Sequence, residues 1–452
     1  MKKVFNITGG IGVVLLLMIF MIVPRAQAVI DGVSGTTFNL TARDGFISTP
    51  DGGSVYAWGY ALNGGVMQYP GPTLILNEGD TITITLTNEL PASAGNVSIV
   101  FPGHSVQEIG GSAGIAAREA LPGGTVTYRI KANNPGTYYY QSGTRPDIQV
   151  SMGLVGAMII RPWTFDPANP TAYNHPDSSY DHEYLFFLTE MDLNIHEAAY
   201  KKYACNENVQ IDTNSFFPVY WFINGRCAPD TMFPAGAPWL PNQPYNCRPR
   251  LRPGEKLLMR MIGAGRDLHP FHHHGNNSLV IARDGRLLES LPGSGPDMAV
   301  SEFTLTVPPG GTIDAIFEWT GAGLGWDIYG HEQDIDIAPE GNFPGAEDVD
   351  HNGDGIFDSV AMEPNEYASD HGKPFPVVLP DESEMAFGGL YSGSPFLGAA
   401  GSLPPGEGGL NMFGGFAYMW HSHNEKEMTN NDIFPGGMMT QCLVEPPGTP
   451  IP

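Results

Sequence analysis

Cysteine is scarce in this chain: four in 452 residues, Cys205, Cys227, Cys247 and Cys442, none in the C-x-x-C spacing of a zinc or redox site. Basic residues are scarce too, with 22 Lys and Arg against 48 Asp and Glu and a net charge of −26. Such a surface repels nucleic acid and anionic membranes, so neither is an expected partner. Only one long apolar run is present, "IGVVLLLMIFMIV" at 11–23. It follows Lys2 and Lys3 and precedes Ala26-x-Ala28, the layout of a secretory leader cut after Ala28; the alternative is an uncleaved anchor. Cleavage would remove Lys2, Lys3 and Arg25, leaving 19 basic residues against 48 acidic ones. No later stretch is long and apolar enough to span a bilayer. The expected location is the periplasm or the exterior. In an exported chain, four cysteines suggest two disulfides with three pairings open. Phosphate-loop and Ser-His-Asp patterns are absent as well.

Helical periodicity is nearly missing, whereas glycine (57) and proline (40) abound. Between them recur β-branched, often alternating runs such as "TLILNEGDTITITLTNEL" (73–90), "GLVGAMII" (153–160), "YLFFLTEMDL" (184–193) and "KLLMRMI" (256–262). The pattern predicts an all-β protein of sandwich type. A first domain is expected at 29–163 and a polar, Pro-rich linker at 164–183. A second domain follows at 184–447, then a short tail at 448–452. Two insertions are expected in the second domain, at about 196–250 and 322–415.

The later insertion contains "DHNGDGIFD" at 350–358. Asp350, Asn352, Asp354 and Asp358 alternate as oxygen donors, the Ile356 carbonyl adds another, and Gly355 allows a sharp turn. That spacing suits one Ca²⁺. The glutamate an EF-hand carries at its twelfth position is replaced by Ala361, so a calcium-stapled loop is expected rather than a helix-loop-helix switch.

Six of the 13 histidines sit in two short motifs, "HPFHHHG" (269–275) and "WHSHNEKEM" (420–428). On a strand, alternate residues share a face. His272 and His274 then form one pair, and His421 and His423 another. If the two strands are neighbours, four imidazoles converge, a donor set suited to copper, zinc, iron or nickel. His273 alternates to the opposite face and reads as a packing residue.

These motifs resemble those of the multicopper oxidases. "HPFHHHG" is similar to the family's H-P-x-H-x-H-G motif, and "YMWHSHNEKEMTNNDIFPGGMM" (418–439) to its terminal W-x-x-H-C-H motif. "YPGPTLILNEGDTITITLTNEL" (69–90) and "YYYQSGTRPDIQVSMGLVGAMII" (138–160) resemble the two ends of a first cupredoxin domain. The resemblance implies two cupredoxin-like Greek-key β-sandwich domains, copper as cofactor, and a homotrimer as in two-domain members. It also shows departures. The first-domain histidine positions are taken by Val100, Pro102, Gln141 and Gly143, while the second domain keeps His272, His274, His421 and His423. At the blue-copper (type 1) site His269 and Met438 remain, Ser422 replaces the cysteine, and Glu427 stands nominally at the other histidine.

A serine hydroxyl is hard and protonated, so it does not replace a thiolate as a copper ligand. The sequence therefore predicts an exported protein that binds copper through the residual histidines but lacks the blue site and the four-copper cycle. Copper-dependent oxidoreductase chemistry on a small molecule or metal ion remains an expectation. His104, Gln141, Glu425, Glu427 and Met428 are candidate extra ligands. The alternative is a non-catalytic secreted or surface scaffold with structural calcium or zinc.

Overall fold

The computed structural model describes residues 30–252, 254–319, 377–379, 394–395, 409–411, 416–445 and 451. The expected leader and the Asp350–Asp358 calcium loop lie outside the described residues. Two β-sandwiches follow one another. In the first, a six-stranded sheet runs in the order Met67–Gln68, Ser54–Leu62, Thr37–Ser48, Thr81–Asn88, Thr125–Lys131, Val106–Gly110. It faces a four-stranded sheet of Val33–Ser34, Gly71–Asn77, Val155–Arg161 and Gly136–Gln141. Strict alternation along Thr81–Asn88 (TITITLTN) sends Ile82, Ile84 and Leu86 inward and the threonines outward. These meet Leu40, Trp58, Leu74 and Met158 in one apolar core.

In the second sandwich, one sheet carries Tyr220–Ile223, His182–Met191, Lys256–Gly263, Thr312–Glu318, Ser278–Arg283 and Arg286–Leu287, with Val300–Glu302 alongside. The facing sheet orders Arg250–Leu251, Met439–Val444, Phe416–Ser422, His269–His273 and Thr304–Val307. Phe186, Met259, Met261, Phe271, Phe317 and Trp420 fill the space between them. Both histidine motifs thus fall on adjacent antiparallel strands, with His272 opposite His421.

The strand His182–Met191 is buried along its whole length because it has a sandwich core on one side and the other domain on the other. Leu185, Phe187, Ile262 and Ala264 pack against Tyr139, Ala157 and Ile159 of the first domain. Beside this apolar seam runs a buried ionic one. Arg161 pairs with Glu183, whose carboxylate also accepts from Arg260 Nε at 2.9 Å; Arg260 Nη1 donates to Thr137 Oγ1 at 3.0 Å. The two guanidiniums outweigh burial and hold the Glu183 carboxyl down at about 2.

The span expected as a first insertion, 196–250, is more integrated than its loop-like composition suggests. Tyr220–Ile223 pairs with His182–Met191 as an edge strand of the second domain. The preceding helix, Leu193–Ala199, capped by the Asp192 carboxylate on the Asn194 amide, turns back to the first domain. Its Ile195 and Ala199, with Tyr203, belong to the first domain's core. The fully buried His196 ties it there, bonding the Tyr56 carbonyl at 2.6 Å and the Ser151 carbonyl at 3.1 Å. The expected disulfides are corrected: all four cysteines are free. Cys205 is exposed, while Cys227, Cys247 and Cys442 are buried. The Cys247 thiol donates to the Thr231 carbonyl at 3.3 Å, and burial pushes its pKa up to about 12, which keeps it an inert thiol.

Candidate metal centre

Pairing of His269–His273 with Phe416–Ser422 brings the histidines to one rim. The alignment continues past the strand ends: His423 N donates to the Pro270 carbonyl at 2.8 Å and His274 N to the Met419 carbonyl at 3.3 Å. Gly275, at φ +107°, ends the first strand where an added Cβ would meet Tyr418 and Phe317. One donor nitrogen from each of His272, His274 and His421 lies within 4.8 Å of the others. His423 completes the group, its ring 5.0 Å from that of His272 and 5.3 Å from that of His421.

The outer nitrogens are committed. His272 Nδ1–H donates to the Phe303 carbonyl at 2.8 Å, and His421 Nδ1–H to the Ser422 carbonyl at 2.7 Å. Each leaves Nε2 as the free lone pair, the tautomer a metal ligand needs. His421 Nε2 stands 3.3 Å from His274 Nε2. Two nitrogens at about 2.0 Å from one tetrahedral ion span roughly that distance. Burial, reinforced by the neighbouring rings, lowers the pKa of His272 and of His421 to about 4, so both are neutral at physiological pH. Neutral, pre-oriented imidazoles of this kind fit copper.

His273 points away, as its alternation predicts. It is buried against Phe317 and Trp420, and its Nε2 lies 2.6 Å from Ser278 Oγ. Of the candidate extra ligands, Glu425 lies 3.5 Å from His423 Nδ1. His104 stacks edge-on against Tyr138 in the first domain, and Gln141 pairs with Val100 there.

The residues expected at the blue site also converge, around a different chemistry. Ser422 N donates to the Met438 carbonyl at 2.9 Å, and Met438 N to the Glu427 carbonyl at 2.7 Å. The Glu427 carboxylate accepts from His269 Nδ1 at 2.9 Å. The other face of the His269 ring, Nε2, meets Glu190 Oε2 at 3.1 Å. All three side chains are buried. Burial alone would discharge His269, but the two carboxylates outweigh it and raise its pKa to about 9. An imidazolium thus sits clamped between two carboxylates. Ser422 Oγ takes no part; it accepts from the Asn424 amide two residues on, at 3.2 Å. Glu190 was not foreseen. Its sequence signal is an acid inside "YLFFLTEM", since a charge in a fully buried strand requires a partner. Gly265 makes room for it, as a Cβ there would strike the carboxylate.

A profile of the multicopper oxidases matches residues 48–164, the first sandwich from the end of the Thr37–Ser48 strand onward. Over those residues the chain is similar to the multicopper oxidases. Over 117 residues it is 35% identical to an L-ascorbate oxidase of Nicotiana tabacum, covering 25% of this chain and 18% of that protein. Over 100 residues it is 39% identical to a laccase of Aspergillus fumigatus, covering 21% and 16%. The chain therefore spans less than a fifth of the length of these curated relatives. In fold it is similar to the blue copper oxidase of Nitrosomonas europaea, with a TM-score of 0.51 and 19% identity, covering 90% of this chain and 85% of that one. The multicopper oxidase mgLAC gives the same score at 16% identity, covering 92% and 87%. These likenesses show the cupredoxin-like fold and extend it through the second domain.

Proposed function

We propose that this multicopper-oxidase-like protein is exported and binds copper through His272, His274, His421 and His423, without a blue copper and therefore without the four-copper cycle. One observation carries the reading: three donor nitrogens meet within 4.8 Å, while the neighbouring centre has Ser422 for a thiolate and a His269 already held by Glu190 and Glu427. Bound copper would supply one-electron redox chemistry to a small molecule or metal ion reaching it directly. The Phe303 and Ser422 carbonyls fix the tautomers of His272 and His421, and exposed His423 and Phe303 leave the rim open to such a substrate. The wider proposal includes the Asp350–Asp358 calcium loop and a homotrimer in which this rim faces a neighbouring subunit.

The test is metal content and copper titration of the purified mature protein. Stoichiometric copper, lost in a His421→Ala, His423→Ala double variant of unchanged fold, supports the reading. A protein that takes up no copper favours the non-catalytic scaffold.

A further inference from the structure

At the seam between the domains, away from every histidine discussed above, lies a cavity of about 300 Å³. Its apolar wall includes Ile30, Leu185, Phe233 and Pro234. Its polar groups are unevenly satisfied. The Glu183 carboxylate is held by Arg161 and Arg260, and Arg250 Nε is spent on Glu445 at 2.6 Å. The Asn224 amide donates to the Leu185 and Asn246 carbonyls, and the Tyr245 hydroxyl accepts from the Thr73 amide. Two donors remain open among the described residues. The Arg248 guanidinium, half-buried in the wall, has neither an ion pair nor a hydrogen bond. The Asn246 side-chain NH₂ is likewise unengaged, its oxygen being turned to the Arg248 amide. Behind Phe233 and Pro234, whose carbonyls it holds, lies fully buried Arg226; its Nη2 has no acceptor among the described residues. Asp31, exposed at the rim, is the one carboxylate not already bonded.

Open donors beside apolar walls call for an acceptor-rich, negatively charged group carrying an apolar body. One guanidinium without an ion pair and a carboxylate at the rim favour a single negative charge over two. We infer that this cavity binds a small amphipathic monocarboxylate of arylcarboxylate type, its carboxylate on Arg248 and Asn246 and its ring against Phe233 and Leu185.

Calorimetric titration of the full mature chain with benzoate and phenylacetate tests this, with neutral benzamide as the matched control. Saturable binding of the acids is expected. Arg248→Gln should weaken it about tenfold or more, the scale of one hydrogen bond to a charged group. The His421→Ala, His423→Ala variant should bind the acids as the parent does, which separates this site from the copper proposal. The inference is overturned if the acids give no heat at millimolar concentration. It is equally overturned if benzamide binds as well as benzoate, or if Arg248→Gln, folded by circular dichroism, binds unchanged.

Discussion

The two domains present the same backbone frame at the histidine rim and opposite contents. In the second, His272 faces His421; in the first, Val100 faces Gln141, joined by backbone hydrogen bonds of 2.8 and 3.2 Å. Gly103, at φ +83°, ends the first-domain segment as Gly275 ends its counterpart. Even the hydroxyl turn is repeated: Ser142 Oγ accepts from the Thr144 amide as Ser422 Oγ does from Asn424. Yet a Cβ on Gly143 would lie 2.6 Å from the Val100 side chain, against Ser98 and Ala116, whereas its counterpart His423 has room for a half-exposed ring beside His272 and His421. The frame therefore does not depend on metal ligands. At the corresponding first-domain positions a close-packed surface held by Ser98, Thr144 and Glu119 fills the space.

The comparison can be broken at several points. The largest effect expected is complete loss of bound copper in a His272→Ala, His421→Ala variant, read by metal analysis, while Val100→Ala in the first domain leaves uptake unchanged. Next, His269→Leu should destabilise the second domain by about 3–5 kcal/mol in denaturant titration, since it strands two buried carboxylates. A loss below 1 kcal/mol would mean that the clamp is not ionic. Ser422→Cys alone should not bring intense visible charge-transfer absorption on adding copper, because the clamp still occupies His269. Joined with Glu427→His it should, read by absorption spectroscopy. A smaller effect is expected with pH. His269 is raised from 6.5 to about 9, so its stabilisation is complete below pH 6.5 and disappears as pH rises through about 9. Unfolding midpoints should fall across that window in the parent and not in His269→Leu. Smallest, Gly143→His should cost about 1–3 kcal/mol by overpacking and bind no metal.

Much of this was legible in the chain. Alternation in "TITITLTN" and the doubled histidines specify strands and a shared face, because both follow from the two-residue period of a strand. Ser422 was also readable as a neighbour of Met438, to whose carbonyl its amide donates. The contact of Glu190 with His269 was not legible. Glu190 lies 79 residues before His269, and only the stacking of two sheets brings them together. The helix Leu193–Ala199 was hidden for a similar reason, since its apolar face serves a first-domain core drawn from residues between Phe38 and Ile160. The free cysteines show the limit of counting: an even number fixes no distances between them.

That helix has a consequence for how the molecule comes apart. Ile195, Ala199 and Tyr203 leave the second domain's chain to complete the first domain's interior, and Glu183 takes its counter-charges from both sides of the seam. Neither half is then a finished object when cut from the other. A protease nick between 205 and 219 would yield two fragments that stay associated, and heating should melt both sandwiches in one transition rather than in sequence.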